Sequence, residues 1–223
     1  MDHVLALLDA KPGERALDVG CGKAEVLLRL IERFGVKGVG VDTNAEFLAE
    51  ARAGLARRAP QGDLILHACD VAEFTAAPES FDIGLCTGST HVYGGYRPTL
   101  RALSALVRPG GHLVVGEGYW KREPDPAYLE LLGGTREEFT DHAGNVQAAV
   151  EEGLVPLFAS VSSDDDWDRY EGTYALTIER YVRAHPEDAD GPAMLARIRR
   201  WRDGYLRWGR DTLGFAVYLF RRD

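Results

Sequence analysis

An α/β fold with a doubly wound, mostly parallel sheet is what this chain predicts, on three observations. Strand-length apolar runs alternate with amphipathic stretches of helix length across residues 15–116, the rhythm that parallel crossovers require. The first run, Arg15–Val19, opens into Gly20-Cys21-Gly22, and an amphipathic segment begins at once. Finally, Asp18, Asp42, Asp70 and Thr87 all fall at or just before the ends of predicted strands. In open sheets of this kind ligands bind outside those ends, where the strand order reverses.

The elements follow in order. Val4 to Ala10 reads as a short amphipathic helix closed by Lys11-Pro12-Gly13. After the strand at Arg15–Val19, a helix runs from Ala24 to about Phe34, with Leu27, Leu28, Leu30 and Ile31 on its buried face. Val36–Asp42 is the second strand, and Asn44 to Arg58 the next helix, capped by Thr43 or Asn44. Leu64–Ala68 and Phe81–Cys86 are the third and fourth strands. Pro98 suits the first turn of a helix whose apolar face is Leu100, Leu103, Leu106 and Val107. Pro109-Gly110-Gly111 stops that helix, and His112–Gly116 is the fifth strand.

Prolines and charges make Tyr119–Pro126 a loop; Thr140–Glu152 reads as a helix and Leu154–Val161 as the sixth strand. Two helical patterns come next, Trp167-Tyr170-Tyr174-Ile178-Tyr181 and Met194-Ile198-Trp201-Tyr205-Trp208, joined through Pro186–Gly191. Spacing of three and four residues marks these stripes as core rather than substrate box, with Trp167 and Tyr170 as the exceptions that would touch substrate. Gly214–Phe220 is the last strand. The chain is expected to be one domain, 1–223, with 163–211 as a helical insertion packed as a cap near the cleft.

The formal net charge of −9 argues against a nucleic-acid surface. No apolar run is long enough to span a membrane, and Met1-Asp2-His3-Val4 does not open a secretory signal, so a cytoplasmic protein is expected. Cys21, Cys69 and Cys86 are odd in number and scattered, which suits a reducing compartment. In a doubly wound order Cys21 and Cys69 would lie about 10 Å apart, too far to share an ion; no metal is expected. Oligomeric state is not legible.

Glycines at 20 and 22 let a ligand lie against the backbone, and the helix beginning near Ala24 aims its N–H groups at the same spot. The acid two residues before Gly20, the glycine pair and the acid ending Gly38-Val39-Gly40-Val41-Asp42 together resemble the class I S-adenosylmethionine-dependent methyltransferases. Their first motif reads acid-x-Gly-x-Gly-x-Gly; here Ala24 stands for the third glycine. The turn Arg108-Pro109-Gly110-Gly111 and the isolated late strand are similar to that family too. The chain is similar to that family's small-molecule type, the ubiquinone and menaquinone biosynthetic methyltransferases. The resemblance implies a Rossmann-like, seven-stranded sheet whose last strand is antiparallel and inserted beside the fifth.

It also implies S-adenosylmethionine as cofactor, S-adenosylhomocysteine as product and a small-molecule acceptor. Asp18 belongs to the first motif and Thr43 follows the ribose acid. Asp42 would accept the ribose hydroxyls, unless it is simply an acid at a helix N-terminus. Asp70 and the Val71 N–H resemble the pair that reads adenine; a solvated turn is the alternative. Gly20, Cys21, Gly22 and Thr87 would face the methionine end. The loop Thr87–Gly95 would lie beside the transferring methyl, and its two closing glycines suggest that it bends or moves. His91 there is either a general base or a structural loop histidine, with Tyr93 a second catalytic candidate. Glu117, Tyr119 and Trp120 fall on the cleft side, the aromatic pair as a substrate wall or a cap floor. Two other functions stay open: an NAD(P)-dependent oxidoreductase, and a non-catalytic S-adenosylmethionine-binding module that docks a partner.

Overall fold

The computed structural model describes residues 1–223. Its strands are β1 (Arg15–Val19), β2 (Lys37–Asp42), β3 (Leu64–Ala68), β4 (Phe81–Thr87), β5 (Val107–Trp120), β6 (Leu154–Val161) and β7 (Leu213–Arg222). They form one seven-stranded sheet in the order β3-β2-β1-β4-β5-β7-β6, with β7 antiparallel. The order reverses between β1 and β4, and parallel register pairs Asp18 with Gly40 on one side and Leu85 on the other.

The chain divides into two compact units. The first comprises Met1–Glu117, Ala143–Ser160 and Ala216–Asp223. Its helices are α1 (Asp2–Leu7), α2 (Glu25–Phe34), α3 (Ala45–Arg58), α4 (Tyr96–Leu106) and, from the later segment, α6 (His142–Glu151). Leu27, Leu28, Leu30 and Ile31 of α2 are buried, as their spacing predicts. Asn44 caps α3 by accepting from the backbone N–H groups of Glu46 and Phe47.

Pro98 lies in the first turn of α4, as its third residue, and Gly95 with φ 122° and ψ −175° precedes the helix. The start of the fifth strand differs from expectation. Strand β5 begins at Val107, so Arg108–Gly111 is a bulge inside the strand: Phe81 pairs with Val107 and Ile83 already with His112. The extra residues bend the backbone, and Gly110, with φ 77°, makes that bend possible.

The second unit comprises Gly118–His142 and Val161–Phe215, so the segment after β5 joins the late helices. It holds α5 (Pro126–Leu132), α7 (Asp164–Ala184) and α8 (Gly191–Gly204), followed by a π-helical turn at Tyr205–Gly209. Helix α5 starts where the expected loop Tyr119–Pro126 ends: Asp125 caps it and Pro126 takes its first turn. A capping box between Ser163 and Asp166 starts α7.

The aromatic stripe of α7 is not core. Tyr170 is 69% exposed, and Tyr174 and Tyr181 are exposed too, whereas Glu171 and Ala175 are buried. The buried line lies one residue further along, where α7 packs against α8. On α8 and the π turn, Ile198 and Tyr205 are buried as expected. Arginines of this unit form ion pairs, Arg199 with Glu179 at 2.8 Å and Arg210 with Asp168 at 3.0 Å.

Candidate active site

The bend after β1 is a chain of left-handed residues: Gly20 (φ 66°), Gly22 (φ 54°) and Ala24 (φ 55°). Glycine adopts this region freely; Ala24 carries a strain of roughly 1–2 kcal/mol. The two glycines serve different ends. A Cβ on Gly20 would collide with the Ser89 side chain, whose Oγ donates to the Gly20 carbonyl at 3.2 Å. A Cβ on Gly22 would meet nothing nearer than Phe47 at 4.0 Å, so no neighbour's packing demands glycine there.

The bend is bolted to the end of β2. Gly20 and Cys21 N–H both donate to the Val41 carbonyl, at 2.9 and 3.1 Å. One Asp42 carboxylate oxygen accepts from Gly22 N–H and the other from Asn44 N–H, each at 2.8 Å. Each oxygen retains a lone pair. This role of Asp42 was not foreseen: a tight turn exposes backbone N–H groups, and a nearby carboxylate satisfies them.

Asp18 is 2% exposed, and its Oδ1 has no hydrogen-bond partner. Burial first, then the charge of Asp42, raises its carboxyl to about 7. Burial likewise pushes the Cys21 thiol up, followed by the charges of Asp18 and Asp42. That thiol is buried and inert.

A cavity of about 510 Å³ opens at the strand ends, lined by Gly20, Asp42, Thr43, Asp70, Val71 and His91 among others. Residues following four separate strands, β1 to β4, therefore converge on one space. Asp70 is held by an Asx turn, its Oδ1 accepting from Ala72 N–H at 2.8 Å. Asp18, Cys21, Gly22, Thr87 and Tyr93 do not line the cavity. Asp18 and Cys21 support the bend from beneath.

His91 lies on a 3-10 turn, Thr90–Tyr93, between Gly88 and Gly94-Gly95. The two closing glycines bend the backbone, with φ 83° and 122°, and hydrogen bonds tether the loop. Buried Thr90 donates to Glu117 Oε2 at 2.6 Å, and Thr99 Oγ1 bonds the carbonyls of Thr90 and Gly95 at 3.1 and 2.9 Å. Glu117 is thus an anchor of the loop that carries His91. Burial, then Cys86, pushes the Tyr93 phenol up to about 12, so Tyr93 keeps its proton near neutrality.

Within the second unit, Tyr119 and Trp120 are buried. Trp120 packs edge-on against Phe139 and donates its indole N–H to the Arg136 carbonyl at 2.8 Å; Tyr119 packs on His142. Instead of forming an open substrate wall, these rings are packed by residues 136–142 and by Gly214, against which Tyr119 lies. Trp167 and Tyr170 do line a cavity, of about 190 Å³.

A family described as methyltransferase domain matches residues 16–111. YjhP of Escherichia coli is 28% identical over 95% of this chain and 86% of its own length, and its crystal structure superposes with a TM-score of 0.90. A demethylmenaquinone methyltransferase of Beutenbergia cavernae is 30% identical over 97% of this chain and 76% of its own. A S-adenosylmethionine-dependent methyltransferase from Thiobacillus denitrificans, solved with S-adenosylhomocysteine, shares 25% identity and covers 100% of this chain and 92% of its own, at a TM-score of 0.89. The nicotinamide alternative is thereby set aside. Motif, sheet order, converging strand ends and relatives agree: the chain belongs to the class I S-adenosylmethionine-dependent methyltransferases.

Proposed function

We propose that the chain transfers a methyl group to a small-molecule acceptor by in-line displacement, with His91 as general base. The observation that carries this reading is the single cavity that places His91 in the same wall as Gly20, Asp42, Asp70 and Val71. The cradle fits the cofactor: its volume of about 510 Å³ lies in the range of small-ligand sites, and the Gly22 position leaves room at the bend. Asp42 would take the ribose hydroxyls on its remaining lone pairs, and Asp70 with Val71 N–H the adenine edge. Backbone of Gly20–Gly22 and of Thr87 would border the methionine end, with Thr43 beside the ribose.

S-adenosylmethionine, when bound, supplies an electrophilic methyl whose sulfonium leaves as a neutral thioether. The protein's task is then placement and exclusion of water. His91 accepts the proton of an incoming hydroxyl or amine at an imidazole nitrogen, and the Thr90–Glu117 bond fixes where that ring stands. Acceptor recognition belongs to the helical unit, through Trp167 and Tyr170.

Titration calorimetry with S-adenosylhomocysteine tests the cradle, and turnover of His91→Ala on an identified acceptor tests the base. Undiminished turnover across pH makes His91 structural. Cofactor binding with no methyl acceptor in a broad extract screen would instead favour a binding module.

A further inference from the structure

Helix α7 carries two acids one turn apart with opposite fates. Asp168 meets the Arg210 guanidinium at 3.0 Å and the Tyr205 hydroxyl at 2.6 Å. Glu171, only 6% exposed, receives a single neutral donor, the Trp201 indole N–H at 2.7 Å. No arginine or lysine pairs with it. Buried carboxylates are normally matched by a cation, since an unmatched charge away from water is strongly disfavoured.

Around Glu171 lies the cavity of about 190 Å³, and five aromatic residues share its wall: Tyr128, Trp167, Tyr170, Trp201 and Tyr205. Aromatic faces carry negative charge density and attract organic cations, and a ring of them around one acid is how quaternary ammonium groups are held. The size agrees, because an apolar cavity of roughly 150 Å³ admits a benzene, and an alkylammonium head is of that order. One further group points the same way: the Trp167 Nε1–H is buried without a partner, a donor waiting for a ligand oxygen.

We infer that this cavity of the helical unit binds a small organic ammonium bearing a hydroxyl or similar oxygen, with Glu171 as counter-charge, the five rings as its cage and Trp167 as donor. The inference deepens the assignment of Trp167 and Tyr170 to the acceptor and rests on it. Burial raises the Glu171 carboxyl above its ordinary value, and the Trp201 hydrogen bond opposes that rise.

Two probes of equal shape isolate the charge. Choline and its neutral isostere 3,3-dimethylbutanol are titrated into the full chain, read by tryptophan fluorescence and by calorimetry. Saturable choline binding, at least about tenfold tighter than the neutral isostere, is expected. Glu171→Gln, which keeps an oxygen for Trp201, should erase that preference. Tyr170→Leu, at an exposed position, should weaken choline several-fold and leave the isostere unchanged. Equal affinities, tighter binding of the isostere or of phenol, or no saturation by choline at millimolar concentration each overturn the proposal. S-adenosylhomocysteine binding, measured alongside on each variant, reports the cradle separately, so its loss would count against the proposed function and not against the cage.

Discussion

The strand-end cavity and the aromatic cavity of the helical unit are both spaces lined in part by acids, yet they are built from different material. The cradle is made of strand ends and turn backbone, with the bend at Gly20 and Gly22 held by Asp42 from the end of the next strand. The aromatic cavity is made of side chains from α5, α7, α8 and the π turn, spread from Tyr128 to Tyr205. Backbone-built sites tolerate few changes because one turn serves several contacts. Side-chain-built sites can be altered one group at a time.

The largest effect should come where that economy is greatest. Asp42→Ala removes two charge-assisted hydrogen bonds to turn N–H groups as well as the proposed ribose contact, and calorimetry should show S-adenosylhomocysteine affinity falling by about a hundredfold or more. Unchanged affinity would remove Asp42 from the site.

Next, two alanine substitutions divide the glycines. Gly20→Ala forces a Cβ against Ser89 at a positive φ and should lower stability by roughly 1–3 kcal/mol in urea melts, with cofactor binding lost. Gly22→Ala meets open space, so its stability loss should stay near 1 kcal/mol while binding weakens more. Equal melting losses would mean that the space at Gly22 is not for a ligand.

A third test concerns pH. The Asp18 carboxyl is raised in the fold, so the stability it contributes is complete below its ordinary value near 3.8 and is lost as pH rises through about 7. Asp18→Asn should therefore melt higher than wild type above pH 7 and show no such decline. Parallel melting curves from pH 4 to 8 would refute the burial argument.

The smallest effect should be His91→Ala. His91 is exposed, and the 3-10 turn is held by Thr90 and Thr99 rather than by its ring. Its melting temperature should match wild type within the change of roughly 0.5 kcal/mol usual for surface positions, with S-adenosylhomocysteine affinity retained.

Much of the first unit was legible because its signals are local. A glycine pair after an apolar run, and an acid ending the next run, name their own positions. Where reading fell short, distant neighbours decided. Bulging inside β5 moved its start to Val107, and only pairing with β4 reveals it. Tyr119 and Trp120 read as a substrate wall or a cap floor, and only the packing of Phe139 and His142 on their rings shows them buried. On α7 the aromatic rows suggested a core, but that helix turns Glu171 and Ala175 inward, and no period in the chain marks an acid as buried.

By itself, then, the order of residues determined the strand–turn–helix alternation, the site of the bend and the acids at the strand ends, since φ preferences and apolar spacing act over a few neighbours. Only the tertiary structure decided that Asp42 would hold the bend, that Glu117 would tether the His91 loop, and that Glu171 would sit among five rings with no cation. Each of those depends on groups brought together across many residues, where burial and missing counter-charges arise.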